Sequence, residues 1–135
     1  MKERKGSHSV FSVRLHFVFV THYRRKAITA QMLERLREMF FQVCKKMDCE
    51  LLECSGEQDH VHLLVDFHPK QSIAAVAGSL KAATSRMVKK EFPIEFAKWY
   101  SKQSFWSGSY YVASTGGAPI ERLKKYIQSQ NSPTD

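Results

Sequence analysis

A chain of 135 residues is long enough for one domain with a buried core and too short for two. Its 43% hydrophobic and 25% charged residues are the balance of a folded domain, not of a disordered tract. With 21 Lys and Arg against 13 Asp and Glu, the net charge of +8 favours a polyanionic partner, nucleic acid first.

The N-terminal "MKERKGSHS" has no apolar stretch behind it, and no run approaches 18 apolar residues, so a cytoplasmic protein without a membrane partner is expected. "SVFSVRLHFVFV" (9–20) then alternates, with Phe11, Val13, Leu15, Phe17 and Phe19 on one face and Ser12, Arg14 and His16 on the other. This predicts a half-buried strand. After the basic connection "HYRRKAI", Thr29 can cap a helix in which Met32, Leu33, Leu36, Met39, Phe40, Val43 and Met47 recur at helical spacing to about Asp48. The cysteines at 44, 49 and 54 have no CxxC spacing, which argues against a zinc knuckle or a disulfide framework.

"ELLECS" (50–55) and "HVHLLVDF" (60–67) flank the turn "GEQD" and predict a hairpin. Ser72 can cap a second helix from about Ile73 to Lys90, along Ile73, Val76, Leu80, Thr84, Met87 and Val88. "EFPIEFAKWYSKQSFWSG" is an aromatic, basic excursion holding both tryptophans. "SYYVAS" (109–114) predicts a fourth strand, "TGGAP" breaks it, and Pro119 introduces a last helix over about 119–131.

The order β, α, β, β, α, β and helix predicts an α+β, ferredoxin-like or RRM-like fold. A four-stranded antiparallel sheet carries two helices on one face and a further C-terminal helix. One domain over 1–135 is expected, with its core at about 9–114. The sheet face left open is where single-stranded nucleic acid commonly lies on such folds.

"DHVHLLV" (59–65) places His60 and His62 one residue apart in the third strand, hence on one face and about 7 Å apart. That spacing suits one ion or one phosphate, while Val61, Leu63 and Val65 turn to the core. A metal site needs a further ligand, and Asp66 is about 13 Å along the strand from His62. The last helix offers Tyr126 and Gln130, four apart and thus neighbours on one helix face, beside Lys124 and Lys125. A phenol with a pKa near about 10 attacks poorly at neutral pH, but cations and a polarised phosphate would assist it. The product would be a phosphotyrosine, formed by transesterification without a nucleoside triphosphate. No GxxxxGK[ST] loop is present.

"DHVHLLV" resembles the HUH motif. Taken with "HYRRKAI", "SLKAATSRMV", "FWSGSYYVAST" and "GGAPIERLKKYIQSQ" in order, the chain resembles an IS200/IS605-type transposase of the single-tyrosine HUH class over about 9–131. The resemblance implies a homodimer that cuts and rejoins single-stranded DNA with subterminal hairpins at insertion-sequence ends, using Mg2+ or Mn2+. It implies His60 and His62 as the metal pair, Gln130 as the third protein ligand, and Tyr126 as the nucleophile taking the 5′ phosphate. Gly116 and Gly117 match the joint before a tyrosine helix that, in the family, completes the other subunit's site. Gln58 and His22 depart from the family pattern, which often has proline and lysine there.

Blander roles compete. A strand histidine such as His16 is usually structural, with a hydrogen bond to the site as its functional option. Arg14, Lys81, Ser85 and Arg86 are candidates for holding phosphates, against the default of a solvated face. Tyr110 and Tyr111 read as packing or base-stacking residues, and Trp99, Phe105 and Trp106 either stack on bases or anchor a loop or a subunit contact. The rival to the enzyme is a noncatalytic RNA- or DNA-binding module on the same sheet, or a domesticated relative of the transposase.

Overall fold

The computed structural model of the chain describes residues 4–5, 10–11, 13–114 and 120–129. Two short strands, β1 (Arg4–Lys5) and β2 (Val10–Phe11), pair antiparallel with each other. The main sheet comprises β3 (Arg14–Val20), β4 (Glu50–Gly56), β5 (His60–Asp66) and β6 (Tyr111–Ser114). Its order is β4-β5-β3-β6 and every neighbouring pair is antiparallel. Between the strands run α1 (Ala30–Lys46), α2 (Ile73–Glu91) and the short α3 (Pro93–Ala97), and α4 (Ile120–Ser129) follows β6. This is the expected α+β, ferredoxin-like architecture. None of the described helices is long and apolar enough to cross a membrane.

Both long helices begin where the sequence supplies an oxygen for an otherwise unsatisfied backbone donor. Thr29 Oγ1 accepts from Met32 N at 3.1 Å and Ser72 Oγ from Ala75 N at 3.2 Å. α1 ends in a Schellman turn: Asp48 takes the left-handed position at φ 58°, Asp48 N donates to Lys45 O, and Cys49 N to Cys44 O.

The core lies between the helices and one face of the sheet. Leu15, Phe17 and Phe19 of β3 and Val61, Leu63 and Val65 of β5 join Met32, Leu36, Phe40 and Cys44 of α1 and Val76, Leu80, Met87 and Val88 of α2. Burial pushes the Cys44 thiol up to about 12, so it acts as a small apolar residue.

Two sequence expectations are corrected and one open choice is decided. The first strand is divided, because Arg14 pairs with Asp66, the last residue of β5, and β3 leaves the sheet where its partner ends. β6 starts at Tyr111 rather than 109, since Lys81 Nζ donates to the carbonyls of Ser107 (2.7 Å) and Ser109 (3.0 Å). Phe105 and Trp106 are fully buried core residues, inaccessible to a base. Trp106 packs against Phe19 and Phe40, and its Nε1 donates to Thr84 Oγ1 at 2.9 Å.

Phe19 touches the rings of Phe17, Phe40 and Trp106 from the centre of this core. Phe19→Ala is expected to lower the unfolding free energy by about 3–5 kcal/mol in urea titrations. Ile94→Ala, at a side chain 75% exposed, is expected to change it by less than about 0.5 kcal/mol. Equal effects of the two would contradict this assignment of the core.

Candidate active site on the open face of the sheet

Strand parity decides what the face opposite the helices carries. Val18 pairs with His62 on one side and Tyr111 on the other, so His60, His62, Leu64, Arg14, His16, Val18 and Tyr111 all belong to that face. On β4 the register shifts between Leu51 and Glu53, leaving Leu52 as the extra residue and setting Glu53 opposite Leu64. The bulge thereby brings a carboxylate to the histidine face.

The two histidines of the HVH segment are held differently. His60 Nδ1 lies 2.8 Å from Asp59 Oδ1, and Asp59 Oδ2 meets Arg24 Nε at 3.3 Å. His62 Nε2 lies 2.7 Å from His16 Nδ1, with the two rings stacked at a centroid distance of 4.7 Å. One of those nitrogens carries the hydrogen and the other accepts it. Burial lowers the His62 pKa, the neighbouring His16 and then His60 push the same way, and Glu53 opposes them. The neutral imidazole this favours is the form that binds metals. Among the described residues, no three His, Cys, Asp or Glu side chains gather closely enough to hold an ion. A complete site therefore needs a donor beyond them.

Tyr126 projects from α4 beside β6. Its hydroxyl is 2.9 Å from Ser109 Oγ and its ring centroid is 5.6 Å from that of Tyr111. Tyr111 and His62 are separated by one strand, so their backbones stand about 10 Å apart. The phenol and the imidazoles are thus served by one face of one sheet. Gln130, Gly116 and Gly117 lie outside the described residues.

The remaining sequence candidates scatter. Arg14 is on the histidine face, half-buried, with Nε lacking a hydrogen-bond partner. Lys81 is occupied by the Ser107 and Ser109 carbonyls, and burial lowers its pKa. Ser85 is buried and its Oγ accepts from Phe105 N at 3.3 Å, so this geometry gives it a loop to support and not a phosphate. Arg86 is exposed on α2, in the helical layer behind the sheet. Tyr110 packs on Phe17. Asp59 and Arg24 were not among the sequence candidates. Both lie inside motifs that carry the resemblance, Asp59 at the start of "DHVHLLV" and Arg24 in "HYRRKAI", but nothing in the sequence pairs them.

Comparison with known proteins bears on what such a face does. The family model described as "Transposase IS200 like" matches residues 9–130. Transposases for insertion sequence element IS200 from Salmonella typhimurium and Salmonella typhi are each 29% identical over 129 residues, 95% of this chain and 83% of theirs. A crystal structure from Deinococcus radiodurans R1, of a protein provisionally described as a transposase, superposes with a TM-score of 0.86 at 24% identity. The match covers 96% of this chain and 98% of that one. A REP-associated tyrosine transposase bound to a REP hairpin gives a TM-score of 0.58 at 10% identity, over 94% and 68% of the two chains. At these identities the two structures establish likeness of fold.

The lowered pKa of His62 makes its contribution to stability sensitive to acid. The unfolded chain takes up the proton first as pH falls below about 6.5, so the contribution of His62 to stability is present above that value and lost below it. Imidazole NMR titration is expected to place the His62 midpoint below that of an ordinary histidine. A midpoint at or above the ordinary value would contradict the burial argument.

Proposed function

Because this chain belongs to the IS200-like transposase family, the match running from residue 9 to residue 130, we propose that it cleaves and rejoins single-stranded DNA at insertion-sequence ends in the cytoplasm. The observation carrying this reading is the shared face: a histidine pair on β5 and, one strand beyond β3, a tyrosine on α4 resting against β6. A REP hairpin is bound by the tyrosine transposase whose fold this chain resembles, which supports a hairpin-bearing single strand as substrate.

His60, His62 and Gln130 would hold a divalent cation, Mg2+ or Mn2+. Two imidazoles and an amide oxygen suit Mn2+ at least as well as Mg2+, which prefers all-oxygen surroundings. Such an ion supplies Lewis-acid polarisation of the scissile phosphate. Tyr126 Oη attacks phosphorus and loses its proton; an O–P bond to tyrosine forms as the bond to the 3′ oxygen breaks. That oxygen takes up a proton and leaves as a 3′ hydroxyl, and the 5′ phosphate remains on Tyr126. Attack by a 3′ hydroxyl on the phosphotyrosine reverses the sequence, rejoins DNA and frees the phenol. Phosphodiester energy is conserved throughout.

Arg14, the half-buried cation on the histidine face, would take a backbone phosphate beside the cut. The assembly proposed is a homodimer in which α4 leaves its resting contacts with Ser109 and Tyr111 of its own copy to serve the site of the other. The consecutive Gly116 and Gly117 restrict the backbone before α4 little.

Incubating labelled single strands from the flanks of the gene with the protein and Mn2+ is expected to give a covalent 5′ adduct that chelation abolishes. Tyr126→Phe should lose the adduct and keep hairpin binding by gel shift. An adduct that survives this substitution would remove Tyr126 from its role, and one formed equally on duplex DNA would overturn the substrate class.

A further inference from the structure

The link from Arg24 through Asp59 to His60 is used by none of the steps above. An ionised carboxylate can only accept, so the 2.8 Å contact requires His60 Nδ1 to carry a hydrogen, and in the neutral ring this leaves Nε2 with the lone pair. The second oxygen of Asp59 is engaged by Arg24 Nε, so the carboxylate cannot turn away from the ring without breaking an ion pair. All three side chains are mostly shielded, with 28%, 18% and 22% of Arg24, Asp59 and His60 exposed.

Backbone geometry holds both ends. Tyr23 and Arg24 adopt left-handed conformations in succession, φ 58° and 53°, which side chains beyond glycine rarely do. The turn is closed by Arg24 N donating to Thr21 O at 2.8 Å and by the Tyr100 hydroxyl donating to His22 O at 2.7 Å. The opposing turn is tied down in parallel, with Asp59 O accepting from Thr21 N and Gln58 O from Ile28 N, each at 2.9 Å. A strained turn thus delivers one guanidinium to the residue preceding the histidine pair.

We propose that Asp59 and Arg24 are positioning residues for the metal site: Asp59 fixes the tautomer and ring orientation of His60 so that Nε2 faces the cation, and Arg24 fixes Asp59. This rests on His60 being a ligand. Carboxylates behind a ligating histidine commonly act in this way, and removing one costs about 10–100-fold in metal affinity.

The test has two readouts. In metal-free protein, long-range 1H–15N correlation should show neutral His60 in the Nδ1–H form. In Asp59→Asn, whose amide can donate or accept, it should show both tautomers. Mn2+ affinity, read by EPR of the free ion, should fall about 10–100-fold in Asp59→Asn and less in Arg24→Gln. Asp59→Glu should recover the single tautomer. An unchanged tautomer together with wild-type Mn2+ affinity in Asp59→Asn would overturn the inference. Absence of Mn2+ binding by the wild type would instead defeat the reading of the site, leaving the metal-free tautomer to decide what Asp59 does. If Asp59→Asn does not fold, Arg24→Gln, which leaves the backbone bonds of both turns in place, decides by the same readouts.

Discussion

The antiparallel pairing of β3 with β5 is the constraint on which everything else rests. Seven consecutive register pairs, from Arg14↔Asp66 to Val20↔His60, fix the parity of the two central strands at once. Slipping either strand by one residue would turn its own core residues, Phe17 and Phe19 of β3 or Val61 and Leu63 of β5, to the opposite face and push its own histidines into the core. The cost of exposing those side chains makes the chemical face a by-product of burial. The histidines are where they are because their neighbours must be inside.

Much of this was legible in the sequence because it depends on periodicity and local oxygen donors. Alternation in "RLHFVFV" and "HVHLLVD" identified both central strands, and Thr29 and Ser72 marked the helix starts through the same side chains that cap them. The histidine face followed from parity alone. What escaped depends on distant partners. Phe105 and Trp106 sit in a basic, aromatic segment that reads as a nucleic-acid surface, yet Thr84 and the aromatic rings of β3 and α1 draw them inside. Lys81 and Ser85 read as phosphate ligands, but the loop before β6 consumes both. The reach of Arg24 to Asp59 requires a left-handed pair of residues, Tyr23 and Arg24, for which the sequence has no glycine to announce it.

The histidine face combines buried apolar residues, Val18 and Val20, with a chain of polar contacts. His16 and His62 lean on one another, His60 leans on Asp59, and Glu53 arrives through a bulge. Each contact is modest by itself. Together they fix one nitrogen of each imidazole, and rings oriented in this way lose less entropy when a ligand arrives. The tyrosine stands apart on α4, tied to the sheet by contacts with Ser109 and Tyr111. The histidines and the tyrosine thus come from separate pieces of the chain.

The two tryptophans occupy opposite environments, Trp106 at 1% exposure beneath the sheet and Trp99 at 38% on the rim. Intrinsic fluorescence is therefore expected to combine a blue-shifted emission shielded from iodide, from Trp106, with a more quenchable one from Trp99. The first follows melting of the interior and the second follows events at the surface, so a single unlabelled sample carries optical gauges for both.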